Sequence, residues 1–241
     1  APDCLQPTDS NVIMMDRRAY LAAVTSAVAS AGCLTSVVGD NGGTTVLDRP
    51  EDQQFDSEDI PYPAYGETFP EITVPDPLAG ETVDTGTLDE TLVVTAFFAS
   101  CPVECVRLIG QLAGVQHGTV EDGIADEVTF LAITFDPTRD DAKRLREYGQ
   151  QMNVDMDAGN WRFLRPEGKQ RAKAVVDETL GVTYDRVGAG ESERLPGYDF
   201  RHLSLTFLRN PDGVVERAYR TDNPSHERVL ADVNTVVEAT S

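Results

Sequence analysis

Lysine is nearly missing from this chain. Lys143, Lys169 and Lys173 are the only three in 241 residues, and the other basic residues are arginines. Together 20 basic residues stand against 41 acidic ones, a net charge of -21. That surface excludes tracking along a nucleic-acid backbone, which needs basic patches. It favours encounter with cations, metal ions included, although salt weakens the steering. Long hydrophobic runs are missing too. The longest weakly apolar stretch, Ala19 to Gly32, is too short for a comfortable membrane span. There is no P-loop, no dinucleotide-binding glycine fingerprint and no serine-hydrolase elbow. Cysteine is confined to Cys4, Cys33, Cys101 and Cys105, and histidine to His117, His202 and His226.

The N-terminal region carries an address. Residues 15–33 combine Arg17-Arg18, a short Ala/Val-rich run and Ser30-Ala31-Gly32-Cys33. This reads as a twin-arginine export signal ending in a lipoprotein cleavage box. Cys33 is then the lipidated first residue of the mature protein, Met14 or Met15 the start, and Cys4 lies outside the mature chain. An ordinary amphipathic helix is the alternative. Residues 34–64, rich in Gly, Asp, Glu, Ser and Pro, predict a flexible acidic tether. The folded domain is expected over 65–241, anchored outside the cytoplasmic membrane.

Within 65–241, strands are expected at 91–98, 128–135 and 161–164, with a hairpin over 80–89. A second hairpin joins 203–208 to 214–219 through Asn210-Pro211-Asp212-Gly213. Helices are expected at 102–116, 138–151, 166–180 and 224–238. Alternating strands and helices, closed by a hairpin and a helix, predict an α/β fold: a central mixed sheet with helices on both faces.

The stretch Phe97-Phe98-Ala99-Ser100-Cys101-Pro102-Val103-Glu104-Cys105 carries the chemistry. It follows an apolar strand and precedes a helical pattern at Val106, Leu108, Ile109, Leu112 and Val115. Cys101 is expected as the N-cap, Pro102 as the first helical residue, and Cys105 one turn on. A helix N-terminus stabilises thiolates. Thiols one turn apart, with Cα atoms roughly 6 Å from each other, can close a disulfide or clasp a soft ion. The spacing alone leaves structural disulfide, redox pair and metal site open.

Four blocks together resemble the Sco/SenC family of thioredoxin-fold copper proteins. The first is Phe98-Ala99-Ser100-Cys101-Pro102-Val103-Glu104-Cys105, against the family's Cys-Pro-Asp-(Val/Ile)-Cys-Pro. The others are Phe135-Asp136-Pro137-Thr138-Arg139-Asp140, Trp161-Arg162-Phe163-Leu164, and His202 to Leu208 followed by Pro211-Asp212-Gly213. The resemblance implies a thioredoxin-like fold and one copper ion, Cu(I) or Cu(II), held by Cys101, Cys105 and His202. It also implies a metallochaperone for the dinuclear copper centre of a terminal cytochrome oxidase, with the copper-bearing oxidase subunit as partner. The alternative function is a thiol–disulfide oxidoreductase that reduces the oxidase copper-site cysteines, with Cys101 attacking and Cys105 resolving. A peroxidase is disfavoured for want of a Thr-x-x-Cys setting. Three departures stand out: Val106 in place of the final proline, Val103-Glu104 in place of Asp-(Val/Ile), and Arg201 before His202 where Asp is common.

His117 falls near the far end of the cysteine helix and His226 in the first turn of the last helix, and both are poor ligand candidates. Asp136 and Asp140 are expected to shape their loop rather than hold a metal, with Arg139 pairing locally. Acid excess with so few lysines also resembles proteins of salt-loving organisms, whose self-repulsion is screened by high ionic strength; a merely acidic protein is the alternative.

Overall fold

The computed structural model describes residues 43–187 and 199–241. The signal-like segment with Arg17, Arg18 and Cys33 lies outside the described residues. Among the described residues, no helix is long and apolar enough to cross a membrane.

The core is a five-stranded mixed sheet. Its strands are β3 (Thr91–Phe97), β4 (Val128–Thr134), β5 (Trp161–Leu164), β8 (Thr206–Arg209) and β9 (Val215–Tyr219), in the order β5-β4-β3-β8-β9. β3, β4 and β5 run parallel, whereas β8 and β9 are antiparallel to their neighbours. Every residue of β3 is buried. A parallel strand covered on both faces reads as a continuous apolar run, which is why β3 and β4 stand out in the sequence.

Helices α1 (Glu104–Glu121) and α2 (Ala142–Gln151) make the crossovers from β3 to β4 and from β4 to β5. Successive right-handed crossovers moving the same way across a sheet put their helices on one face. The Tyr148 hydroxyl of α2 accordingly donates to the Cys105 carbonyl of α1, at 3.1 Å. The last helix, α4 (His226–Thr240), joins them: a Cβ added at Gly118 of α1 would stand 2.4 Å from the Leu230 side chain. The chain returns from β5 to β8 through α3 (Lys169–Ala172), which continues as a π-helical segment, Lys173–Thr179. The expected mixed sheet with helices on both faces is the observed architecture.

Two hairpins flank the sheet. β1 (Thr73–Asp76) pairs with β2 (Glu81–Asp84), so the first hairpin lies earlier than the expected 80–89. β6 (Tyr184–Arg186) pairs with β7 (Phe200–His202) and carries His202. Two helices start later than expected because their caps come later. Asp141 accepts the Arg144 N–H and Ser225 accepts the Arg228 N–H, which satisfies amide groups that a helix start leaves open.

Residues 43–64 correct the expectation of a tether reaching Ala64. They lie against the domain. Leu47 is buried in the main core, and Tyr65 donates its hydroxyl to the Leu47 carbonyl at 2.7 Å. The fully buried Glu216 of β9 accepts the Val46 and Leu47 N–H groups at 2.8 and 2.9 Å and the Asn210 side-chain amide at 2.6 Å. A local composition rich in Gly, Asp and Pro looks disordered, but this segment is held by an acceptor about 170 residues away in sequence. Glu216→Ala should destabilise the domain by roughly 3 kcal/mol, because it leaves buried N–H donors without an acceptor. Urea unfolding that shows wild-type stability for this variant would contradict the clamp.

Candidate metal centre

The site is assembled at the C-terminal ends of β3 and β4. After Phe97 the chain turns, with the Cys101 N–H donating to the Phe98 carbonyl. Helix α1 then begins at Glu104 with Val103 at its N-cap, so Cys101 is not the cap and Pro102 is not helical. The turn from Phe98 to Cys101 delays the helix by two residues. Both cysteines are free and buried, Cys105 completely.

The turn is fastened from behind. The buried Asp140 carboxylate accepts the Ala99 N–H at 3.0 Å and the Thr134 hydroxyl. Thr134 in turn accepts the Asp136 N–H at 3.0 Å. Arg144 donates to the Ala99 carbonyl. Burial raises the Asp140 carboxyl above the ordinary carboxylate value. Asp136 pairs with Arg139, which also pairs with Asp199, so these groups shape the loop as expected. The contact from Asp140 to Ala99 was invisible in the sequence, where the two are 41 residues apart.

His202 reaches the cysteines from β7. Its Nε2 lies 3.6 Å from the Cys105 Sγ, and its Nδ1 lies 3.3 Å from the Leu203 carbonyl. A carbonyl can only accept, so Nδ1 carries a hydrogen and Nε2 is the nitrogen turned to the sulfurs. This is the orientation a metal ligand needs. Phe98 and Phe135 wall the imidazole, with ring centroids 6.0 and 5.3 Å away. The donor atoms of Cys101, Cys105 and His202 all lie within 4.8 Å of one another, and among the described residues they are the one group of this kind. His117 is elsewhere, beside the Asn153 carbonyl, and His226 lies against Gly114.

The two thiols differ. Hydrogen bonding with Cys105 is the main influence lowering Cys101, and His202 adds to it against the cost of burial, so its pKa falls from 9.0 to about 4. The Cys105 N–H points at the Cys101 Sγ, at 3.4 Å. Burial first, and then Cys101, push the Cys105 thiol well up. Sequence reasoning missed Glu104 as a site residue. Its Oε2 lies 3.4 Å from the Cys101 Sγ, and burial, followed by Cys101, raises its carboxyl. The Cys101 thiol donates in this contact and the Glu104 carboxylate oxygen accepts.

Two soft sulfurs and one imidazole at this separation suit Cu(I), and can also hold Cu(II) or zinc. The same pair, one thiol lowered and one raised, suits disulfide exchange.

The SCO1/SenC family model matches residues 78–238. No curated protein matches the chain by sequence. Solved structures share its fold. BsSco, described as a member of the Sco family of cytochrome c oxidase assembly proteins with a disulfide switch, is 18% identical, with 73% of this chain and 97% of that one covered and a TM-score of 0.56. A SCO1/SenC family lipoprotein from Bacillus anthracis is 17% identical over 73% and 96% of the two chains, with a TM-score of 0.55. ScoI from Arabidopsis thaliana, solved with copper bound, is 18% identical over 73% and 99%, with a TM-score of 0.54.

The thiol asymmetry sets a pH dependence for the reduced, metal-free protein. Cys101 has a lowered folded pKa, so its thiolate contributes to stability above pH 9.0, and that contribution is lost as pH falls toward 4. Raised Cys105 has the opposite dependence. Iodoacetamide should therefore modify Cys101 nearly as fast at pH 6 as at pH 8, with Cys105 far slower. Mass spectrometry of the labelled peptides checks this; rates that climb together through pH 8 to 9 for both thiols would contradict it.

Proposed function

The chain belongs to the SCO1/SenC family, and from that premise we propose that it is a copper metallochaperone for the dinuclear copper centre of a terminal cytochrome oxidase. The observation that carries this reading is the convergence of Cys101, Cys105 and His202 on one buried point. In this proposal the copper ion is cargo. Its ligands are the two cysteine sulfurs and the His202 Nε2. The aromatic wall keeps water out and limits the geometries the imidazole can adopt. Delivery proceeds by ligand exchange, a thiolate of the copper-bearing oxidase subunit replacing one protein ligand at a time. His202 sits on a short hairpin rather than on the central sheet, which suits it to be the ligand that lets go first.

Titration of the reduced protein with Cu(I) against a chromophoric chelator should give a one-to-one complex. His202→Ala should weaken it by more than the roughly 10–100-fold typical of losing an outer-shell partner. Absence of a one-to-one complex, or one indifferent to His202→Ala, would sink the reading.

A thiol–disulfide oxidoreductase is the second reading, and the split between a lowered Cys101 and a raised Cys105 favours it specifically. The Cys101 thiolate attacks a disulfide of the oxidase copper site and forms a mixed disulfide, expelling one partner thiolate. Cys105, giving up its proton, attacks the Cys101 sulfur and expels the second. The partner leaves with two thiols and the Cys101–Cys105 disulfide remains, to be reduced by an external dithiol. Oxidase assembly in cells that survives His202→Ala but not Cys101→Ser would favour this reading over copper delivery.

We further propose export and attachment to the outer face of the cytoplasmic membrane through lipid on Cys33, with the acidic surface an adaptation to high salt. The family relative from Bacillus anthracis is described as a lipoprotein, which supports attachment. A doubly acylated cysteine anchors stably where one chain does not. Cell fractionation should find the wild type with membranes and Cys33→Ser released; unchanged partitioning would contradict the lipid anchor.

A further inference from the structure

His202 is carried by the β6–β7 hairpin, and that hairpin has two roots. One follows the helical segment Lys173–Thr179 through Gly181, just ahead of β6. The other runs from His202 into β8. The ladder joins the two at the imidazole: Tyr184 is paired with His202, and the Leu203 N–H donates to the Thr183 carbonyl at 2.9 Å. A shift of either root therefore moves the ring. Tyr62 touches both. A Cβ added at Gly181 would stand 2.2 Å from the Pro61 carbonyl oxygen and 2.8 Å from the Tyr62 Cβ, so the chain at 61–62 lies directly on the Gly181 backbone. Gly181 has φ +66°, the left-handed turn that glycine takes at a helix end, so one residue both stops the helical segment and receives Tyr62. The Tyr62 ring meets Phe207 of β8 edge-on, with centroids 6.4 Å apart. Tyr62 is itself fixed to the central sheet. A few residues on, the Gly66 N–H donates to the Val215 carbonyl and the Val215 N–H donates to the Glu67 carbonyl, both at 2.9 Å. Among the described residues the Tyr62 hydroxyl has no hydrogen-bond partner, so the ring makes the contact.

We propose that Tyr62 is a positioning residue of the copper centre: from the segment ahead of β1 it holds both roots of the hairpin and so keeps the His202 imidazole within reach of the cysteine sulfurs. This rests on the copper-binding reading above for what the imidazole is there to do. Phe98 and Phe135 wall the imidazole, but neither belongs to a root of the hairpin. Without the Tyr62 ring, Gly181 and Phe207 lose the neighbour they share, and the base beneath His202 loosens. The imidazole Nε2, 3.6 Å from the Cys105 Sγ, is then at bonding distance for a smaller fraction of the time. Apparent affinity falls by that fraction. The cysteine turn is fastened separately, through Asp140, so the loss is confined to the part of copper binding that His202 supplies.

The test uses the full chain, reduced and kept anaerobic, as wild type, Tyr62→Ala, Tyr62→Phe and Gly181→Ala, each also combined with His202→Ala. Cu(I) affinity is read by competition with a chromophoric chelator. Tyr62→Ala should weaken binding roughly tenfold where His202 is present, as loss of an outer-shell partner does, and by less than about twofold on the His202→Ala chain. Tyr62→Phe, which keeps the ring, should bind as the wild type does. Gly181→Ala crowds the same contact from the other side and should repeat the Tyr62→Ala pattern; it decides alone if Tyr62→Ala does not fold. Carbon-13 labelling of the histidine rings gives a second readout in the metal-free protein. The His202 signal, identified by its absence from His202→Ala, should shift in Tyr62→Ala as the imidazole moves relative to Phe98 and Phe135, while the His117 and His226 signals stay. Losses equal with and without His202 would overturn the proposal, because they mark a general weakening of the fold. Wild-type copper affinity in Tyr62→Ala would overturn it too, and leave the copper reading standing. A wild type that takes no copper sinks the copper reading, and the ring signals then decide: a His202 shift in Tyr62→Ala upholds the positioning, and an unmoved signal overturns it.

Discussion

The Asp140 carboxylate is the fastening on which the centre depends. It accepts the Ala99 N–H and the Thr134 hydroxyl, and so ties the turn after β3 to the end of β4. Both strands stop at the same level of the sheet, with Phe97 opposite Thr134. The turn that carries Cys101 therefore cannot slide along the sheet or lift from it without stranding a buried acid. Burial makes this bond expensive to form and more expensive to lose, since an unpaired carboxylate in the interior has no water to turn to. One of its oxygens, Oδ1, has no hydrogen-bond partner, which is consistent with the upward shift of the group.

With the turn fixed, the second requirement is that a histidine from 97 residues away arrive beside Cys105. Aromatic packing meets it. Phe98 comes from the cysteine turn, Phe135 from the end of β4, and Tyr184 and Phe200 from the β6–β7 hairpin. Their rings touch in a continuous group that also includes the imidazole. The hydrophobic contact places the hairpin, and the Nδ1–H bond to the Leu203 carbonyl sets the ring's orientation. The acidic character of the surface takes no part in this; the pocket is built from rings.

The strands β3 and β4 were legible because burial on both faces leaves an uninterrupted apolar run, and α1 because its buried residues repeat at helical spacing. The cysteine pair was legible as chemistry, but its role was not, since the same spacing serves a disulfide, a redox pair and a metal. His202 could be singled out only through the resemblance, because nothing local distinguishes it from His117 or His226. Glu104 was visible only as a departure from a pattern; its approach to Cys101 depends on where α1 begins, and that start was displaced by the turn at Phe98. The packing of residues 43–64 was illegible for a different reason. Their sequence has the polarity of a linker, and the buried acceptor that holds them, Glu216, belongs to the last strand.

That clamp also fixes where the chain leaves the domain. Glu216 follows Val215, which pairs with Arg209, and Arg209 in turn pairs with Leu92 near the start of β3. Thr44 is bonded to Asn210, and Gly43 crowds Val214 and Asp212 in the β8–β9 turn. The sulfurs lie beyond Phe97, at the other end of a strand roughly 20 Å long. Gly43 and the sulfurs therefore stand at opposite ends of the same sheet, stern and bow. A second protein can therefore meet the sulfurs without touching the end of the sheet at which Gly43 sits.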